Sequence, residues 1–318
     1  MTGHALLVTR RLAPGVVDRL LPSFSVTLHD DDAPMPRADL LAAVRGRAAA
    51  LTTLDDVVDA DFLDAAGPDL RIVANHAVGT HNIDLAACAA RGVVVTNTPG
   101  VLTAATADLA MALLLAATRR LGEGERWVRS GKPWGWAPNF LLGVELSGTP
   151  LGILGLGRIG RAVARRARAF DMPISYHNRT PLTDEPDARW LPLDDLLATA
   201  QVLVVSCPLN DRTRGLLDAA RLALMPAGAV LISITAGVVD EPALADALDR
   251  GALFAAAVDN HANEPEVAPE LLRQERAVLT PHLGSATVRT RQAMGNLAVD
   301  NILAVLAGEA PLSAVRPA

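Results

Sequence analysis

Twice along this chain, short apolar runs rich in Val, Ile, Leu and Ala alternate with helical segments, and that alternation restricts the fold more than any other feature. The first series places elements at 6–9, 16–21, 26–28, 40–44, 48–51, 62–66, 72–74, 85–90 and 93–96. After a long helix over 104–120, a second series runs through 151–154, 159–170, 174–176, 193–198, 202–206, 230–232, 241–250, 255–258 and 278–279. A helix over 286–306 closes the chain. Strand–helix alternation predicts parallel sheets with helices on both faces, so the expected class is α/β with two doubly wound domains. A chain of 318 residues, half of them hydrophobic, is long enough to bury two cores. The closing helix finds a home only if the chain crosses back, which makes the second domain an insertion. The expected division is 1–98 plus 287–318 for the first domain and 99–286 for the second, with Pro99-Gly100 and Gly284-Ser285 at the crossings. The tail after Gly308 is expected to be frayed.

A formal net charge of -6 provides no global positive field, which argues against nucleic acid or an anionic membrane as partner. The arginines at 158, 161, 165, 166 and 168 fall at helical spacing and read as a solvated face or a short dinucleotide-facing patch. Cys88 and Cys207 are the two cysteines, too far apart in sequence for a C-x-x-C pair, so neither a disulfide framework nor a zinc site is indicated and the cytoplasm is the default compartment. The segment Met1–Arg10 reads as a first strand rather than a secretory signal. The most apolar stretch, 109–118, is half the ~20 residues a membrane crossing needs and reads as a buried helix.

Gly155, Gly157 and Gly160 stand at G-x-G-x-x-G spacing, after an apolar strand and at the opening of a helix. In that context the first glycine permits a tight turn, the second lets backbone approach a pyrophosphate, and the third lets helix and strand pack closely. The helix N-terminus adds N–H groups and partial positive charge for the anion. At the end of the next strand, where an NAD site usually carries an acid for the ribose 2′-hydroxyl, the sequence reads His177-Asn-Arg-Thr180. Asn178, Arg179 and Thr180 offer neutral and cationic donors to a 2′-phosphate, which favours NADP(H) and leaves NAD(H) possible. Alternatively, Arg179 is a surface residue and the site is indifferent.

Several segments together resemble the D-isomer-specific 2-hydroxyacid dehydrogenases: Gly79-Thr-His-Asn-Ile-Asp-Leu85, Thr96-Asn-Thr-Pro-Gly-Val-Leu-Thr103, Ala107-Asp-Leu-Ala110, the glycine turn, Cys207-Pro-Leu209, Val239-Asp-Glu241, Glu264-Pro265 and Thr280-Pro-His-Leu-Gly-Ser-Ala-Thr287. Within that family the Trp134-Gly-Trp-Ala-Pro138 segment and the Asn-Arg-Thr loop are most similar to glyoxylate/hydroxypyruvate reductases. The resemblance implies a flavodoxin-like substrate domain, an inserted Rossmann domain, a small anionic substrate and a homodimer, with Trp136 reaching toward the partner's active site. Those tryptophans are equally readable as ordinary hydrophobic anchors.

Reduction of a 2-keto acid needs a general acid beside the nicotinamide. The resemblance assigns that role to His282 and sets Glu264 against its imidazole, where a carboxylate stabilises imidazolium. It also implies that Asp259 holds the nicotinamide carboxamide, and that the backbone N–H groups of Val78 and Gly79 receive substrate carboxylate. Thr106, Arg158, Ile159, Cys207, Pro208, Thr213, Thr235 and Ser285 fall at positions that line the dinucleotide. One departure stands out. The family reads Asn-x-x-Arg-Gly-x-x-Val-Asp before a helix, whereas this chain has Ile232-Ser-Ile-Thr-Ala-Gly-Val-Val-Asp-Glu241, without arginine. The arginine position is Thr235 or Ala236, depending on the side from which it is aligned. A charge-assisted hydrogen bond is worth ~1.5–3 kcal/mol, so its loss predicts turnover of a simple 2-keto acid slower by ~10²-fold. Three readings follow: another donor such as His76 or His81 substitutes; the substrate is something other than a 2-keto acid, such as a phosphonate, a phosphite-like species or an aldehyde, with its acidic group placed elsewhere; or the protein binds cofactor with little catalysis, as a dinucleotide-sensing protein similar to the C-terminal-binding corepressors that use this fold to assemble. His261 stands where relatives tend to be apolar, but its spacing with His76, His81 and Glu264 matches no familiar metal pattern.

Overall fold

The structure, a computed structural model, describes residues 4–185 and 187–317, so Met1–Gly3 and Ala318 of the expected first domain lie outside the described residues. The chain divides into two compact units, 1–102 with 286–318 and 103–285.

In the first unit, strands β1 (Ala5–Val8), β2 (Ser25–Leu28), β3 (Ala49–Thr52), β4 (Ile72–Asn75) and β5 (Val94–Thr96) lie parallel. Helices α1 (Arg37–Ala43), α2 (Ala60–Ala66) and α3 (Leu85–Ala90) connect them. Their order, β5-β4-β3-β1-β2, is the flavodoxin-like one. β3 and β4 are buried along their whole length, which is why they read as continuous apolar runs rather than as an alternation. Asp59 and Asp84 cap α2 and α3 by accepting from the N–H groups of Phe62 and Ala87. The segment expected as a helix over 16–21 makes only a short 3-10 turn, Val17–Arg19.

The second unit starts with α4 (Thr103–Thr118), whose Ala110, Met111, Leu113, Leu114 and Ala117 are buried, and α5 (Leu121–Arg129). There follow β6 (Leu151–Leu154), α6 (Arg158–Arg168), β7 (Ile174–His177), β8 (Arg189–Trp190), α7 (Leu193–Thr199), β9 (Val202–Val205), α8 (Ala219–Leu222), β10 (Ala229–Ser233), α9 (Glu241–Asp249), β11 (Leu253–Val258), α10 (Pro269–Leu272) and β12 (Ala277–Leu279). All seven strands are parallel in the order β12-β11-β10-β9-β6-β7-β8, the Rossmann order with one further strand. Its switch point lies between β6 and β9, and the glycine turn follows β6 there. Arg161 pairs with Asp184 and Glu185, Arg168 with Glu185 and Arg166 with Asp108, so three of the clustered arginines face carboxylates.

The last helix, α11 (Val288–Leu306), belongs to the first unit, where Ala298, Val299, Ile302 and Val305 join the core formed by β1, β3 and β4. The tail beyond it corrects the expectation of fraying. β13 (Ala314–Val315) pairs antiparallel with β5, opposite Thr96 and Val95. Fully buried Asn301 accepts from the N–H groups of Leu312 and Ser313, and the Ser313 hydroxyl donates to the Asn97 carbonyl at 2.6 Å. Among the described residues no helix is long and apolar enough to cross a membrane.

Candidate active site

The glycine turn has the shape its spacing predicts. Gly155 adopts φ +99°, and a Cβ there would lie 2.4 Å from the backbone N of Cys207, across the switch point. A Cβ on Gly160 would lie 2.4 Å from the Gly155 carbonyl, so helix α6 can approach the turn only with glycine at that place. Gly157 differs: nothing stands within 4 Å of its missing Cβ. Two glycines serve packing, and the third leaves open the side from which a pyrophosphate would meet the first N–H groups of α6, at Arg158 and Ile159. These residues fit a dinucleotide.

Around the turn, the Ser206 hydroxyl donates to the Gly155 carbonyl at 2.9 Å. Cys207 is buried, which pushes its thiol up to about 11, so it acts as a small apolar wall. Pro208 is exposed; its carbonyl accepts from the Thr213 hydroxyl at 2.7 Å, and Thr213 in turn accepts from the Asn210 N–H. Thr213 thus shapes the loop that carries Cys207 and Pro208. Asn178 is tied to the turn itself: its Oδ1 accepts from the Leu156 N–H at 2.7 Å, while Trp190 Nε1 donates to its carbonyl. Arg179 and Thr180 are exposed, and Arg179 has no hydrogen-bond or ion-pair partner among the described residues.

Asp259, at the end of β11 and fully buried, organises the loop that follows β12. Its Oδ1 accepts from the Thr280 hydroxyl at 2.6 Å and from the Leu283 N–H at 2.7 Å, and its Oδ2 from the Gly284 N–H at 2.9 Å. Its own carbonyl accepts from the His282 N–H at 2.9 Å. These bonds hold His282 at φ +55°, a left-handed conformation uncommon for a residue with a side chain and typical of functional positions. Buried Thr106 donates to the Gly284 carbonyl at 3.2 Å, and Ser285 is buried beside it.

The loop presents the His282 imidazole at about one-third exposure, with Nδ1 2.8 Å from Glu264 Oε2. Burial alone would push the Glu264 carboxyl up. Hydrogen bonds from His282 and from the His261 N–H, the latter to Oε1 at 2.9 Å, outweigh it and leave the group below the usual carboxylate range. Nε2 of His282 meets Asn260 Nδ2 at 2.9 Å, a contact the sequence reading missed because an asparagine next to an aspartate carries no motif. Behind Glu264, buried His261 lies 3.5 Å from buried Glu241. At that separation the two form an ion pair when His261 is protonated, without a well-formed hydrogen bond, and His261 Nδ1 has no hydrogen-bond partner. Thr235 and Ala236 are half-buried in the turn after β10, and Ser233 donates to the Thr235 carbonyl at 3.0 Å.

In the first unit, Val78 and Gly79 are exposed on a loop after β4. Asn97 Nδ2 donates to the Val78 carbonyl at 2.8 Å and buried Asn75 Nδ2 to the Gly79 carbonyl at 3.0 Å. With both carbonyls held, the two N–H groups meet no acceptor among the described residues, the arrangement an anion site requires. His76 is buried, with Nε2 3.2 Å from the Arg291 carbonyl, and burial pulls its imidazole below the usual value. It is a packed, neutral residue rather than a spare cationic donor. His81 is exposed beside Gly79. Trp134 and Trp136 lie in a segment, 131–140, exposed from end to end, and Trp136 is 88% exposed. Among the described residues no group of three metal-ligating side chains is found.

Residues 111–284 match the family described as D-isomer specific 2-hydroxyacid dehydrogenase, NAD binding domain. The chain is 42% identical to a glyoxylate reductase of Pyrococcus horikoshii over 320 residues, covering 98% of this chain and 95% of that protein. Among solved structures, the TT0316 protein of Thermus thermophilus superposes with a TM-score of 0.92 at 43% identity, covering 98% of this chain and 99% of that one. An NADPH-dependent glyoxylate/hydroxypyruvate reductase of Sinorhizobium meliloti, in complex with NADP and malonate, does so at 0.86 and 35%, covering 99% and 97%. A Rossmann unit with a built glycine turn, a histidine–glutamate pair and these likenesses across both units have one reading: the chain belongs to the D-isomer-specific 2-hydroxyacid dehydrogenase family and is an NAD(P)-dependent oxidoreductase.

Proposed function

We propose that the chain reduces small 2-oxo acids of the glyoxylate or hydroxypyruvate type with NADPH. The observation that carries this reading is the His282–Glu264 pair, set on a loop that a buried aspartate holds in a strained conformation. His282 donates a proton to the carbonyl oxygen as the carbon becomes a carbinol, and Glu264 stabilises the charged imidazole that makes the donation. Val78 and Gly79 receive the carboxylate on backbone N–H groups. The cofactor, when bound along the glycine turn, supplies the hydride. Thr106, Thr213, Cys207, Pro208, Thr235 and Ser285 would line its place, and Asp259 holds the loop that carries His282.

NADPH is favoured by the unpartnered Arg179 beside a neutral Asn178, since an acid there would repel a 2′-phosphate. The relative crystallised with NADP is consistent with this choice. Steady-state oxidation of NADPH and NADH with a panel of 2-oxo acids tests both points. Turnover with glyoxylate or hydroxypyruvate and a lower KM for NADPH are expected; no oxidation with any 2-oxo acid overturns the reading.

A second reading, a dehydrogenase of an aldehyde or of an anion whose acidic group is held elsewhere, rests on the lack of a cationic side chain in Ile232–Glu241. Phosphite, phosphonate and aldehyde arms in the same assay separate the two. The exposed Trp134, Trp136 and Leu142 support a homodimer that buries this segment. Light scattering of the wild type and Trp136→Ala checks it, with a dimer expected for the first and a weaker one for the second.

A further inference from the structure

Asn260 follows Asp259 at the end of β11 and is partly buried. Its Nδ2 lies 2.9 Å from His282 Nε2, while His282 Nδ1 lies 2.8 Å from Glu264 Oε2. Both imidazole nitrogens are therefore engaged, by partners of opposite kind. An ionised carboxylate only accepts, so the nitrogen facing Glu264 carries hydrogen. An amide nitrogen only donates, so the nitrogen facing Asn260 offers its lone pair. Together the two contacts select one neutral tautomer, with hydrogen on Nδ1 and none on Nε2.

We propose that Asn260 is a positioning residue that holds resting His282 in the Nδ1–H tautomer, its Nε2 lone pair occupied until a proton or substrate displaces the amide. This rests on the reading of His282 as the proton donor, and it adds what that donor must undergo before it acts. A protonated Nε2 would oppose N–H to N–H at 2.9 Å, so proton uptake requires the amide to leave or to turn until Oδ1 accepts. Asn260 thus opposes charging of the ring. The groups that favour charging are Glu264 at Nδ1 and the buried Asp259 carboxylate under the loop, with the His261–Glu241 pair standing behind Glu264. The amide also guards orientation: the ring is pinned at both nitrogens and cannot rotate about its Cβ–Cγ bond without losing two contacts.

The test uses full-length protein with 15N-labelled histidine, the His282 signals being assigned among seven histidines by their loss in His282→Gln. Long-range 1H–15N correlations report tautomer and titration. Wild type is expected to show the Nδ1–H form when neutral. In Asn260→Val the ring should charge at a pH higher by about half to one unit, the equivalent of one neutral hydrogen bond. Asn260→Asp, nearly isosteric, should raise it further. In steady state the alkaline limb of reductive kcat/KM should move upward by the same interval, with NADPH affinity unchanged. A merely structural role would lower activity at every pH and leave the limb in place. Neutral His282 with hydrogen on Nε2, or titration in both variants at or below the wild-type pH, overturns the proposal. Were the wild type to reduce no 2-oxo acid, the reductase reading would fall while the NMR titration still decided the role of Asn260.

Discussion

Oε2 of Glu264 stands 2.8 Å from Nδ1 of His282, and the same carboxylate uses Oε1 to accept the His261 N–H at 2.9 Å. One side chain thus fixes both the His282 ring and the backbone of the loop from which it reaches that ring. A carboxylate held in this way below its ordinary range stays ionised through neutral and mildly acid solution.

Replacing that charge by a neutral amide tests it directly. Glu264→Gln keeps the shape but loses the stabilisation of imidazolium, a charge-assisted contact equivalent to ~10- to 100-fold in rate. Reductive kcat/KM should fall by about that factor at neutral pH, and the alkaline limb of its pH profile should move down. Equal activity at all pH values in stopped-flow and steady-state assays would remove Glu264 from the mechanism.

The three glycines of the turn should separate by kind. In Gly160→Ala the new methyl meets the Gly155 carbonyl at 2.4 Å, and in Gly155→Ala it meets Cys207 backbone from a left-handed φ. Both should lose stability, with overpacking of the first costing ~1–3 kcal/mol in urea titrations. Gly157→Ala adds a methyl to open space, so its unfolding midpoint should match the wild type while NADPH binding, followed by nucleotide fluorescence, weakens tenfold or more. An equal loss of stability in all three would contradict the assignment of Gly157 to the ligand.

Much of this was legible beforehand, for identifiable reasons. Strands such as Val202–Val205 are buried along their length, so an unbroken apolar run reports them well. The glycine turn is legible because only glycine fits the close approaches at positions 155 and 160. What escaped was carried by polar residues whose partners are distant in sequence. Asn301 looks like an ordinary helix residue, yet it ties down the tail that composition alone marks as loose. Asn178 follows β7, where the sequence suggests a choice of cofactor, but its Oδ1 is taken by the Leu156 N–H, which no spacing rule foretells. Asn260 gave no signal until β11 and the loop after β12 were brought side by side. His76 flanks the loop of Val78 and Gly79 in sequence, and its burial against the Arg291 carbonyl became visible only in three dimensions.

His261 and Glu241 predict a pH-dependent stability separate from catalysis. Contact with Glu241 raises the His261 imidazole above its ordinary value against the effect of burial. For Glu241, burial acts upward, but His261 and the N–H groups of Ala262 and Ala268 together leave it lowered. A raised imidazole contributes its full stabilisation below the ordinary value of ~6.5 and loses it as pH climbs through the folded-state value. A lowered carboxylate contributes above its ordinary value and loses that contribution as pH falls through the folded-state one. The pair therefore stabilises most between the carboxylate and imidazole ranges. The difference in unfolding free energy between wild type and His261→Phe should be greatest near pH ~5–6 and shrink on going to pH ~9, as measured by urea denaturation. A difference independent of pH would mean that His261 acts by packing alone.

The turn after β10 offers the sharpest test of substrate handling. Thr235 and Ala236 are half-buried and small, and the turn continues through Gly237 at φ +67°, whose carbonyl accepts from the Gly215 N–H. Neither side chain forms a hydrogen bond among the described residues, so a longer side chain at either position displaces no polar contact. A guanidinium there would supply a bidentate donor for a carboxylate. If the protein reduces 2-oxo acids with that donor missing, Thr235→Arg or Ala236→Arg should lower KM for glyoxylate and raise kcat/KM by ~10-fold or more, with NADPH affinity retained. An unchanged kcat/KM in both variants, each shown by circular dichroism and NADPH binding to be folded, would mean that the pocket recognises its substrate by other groups and serves a different anion.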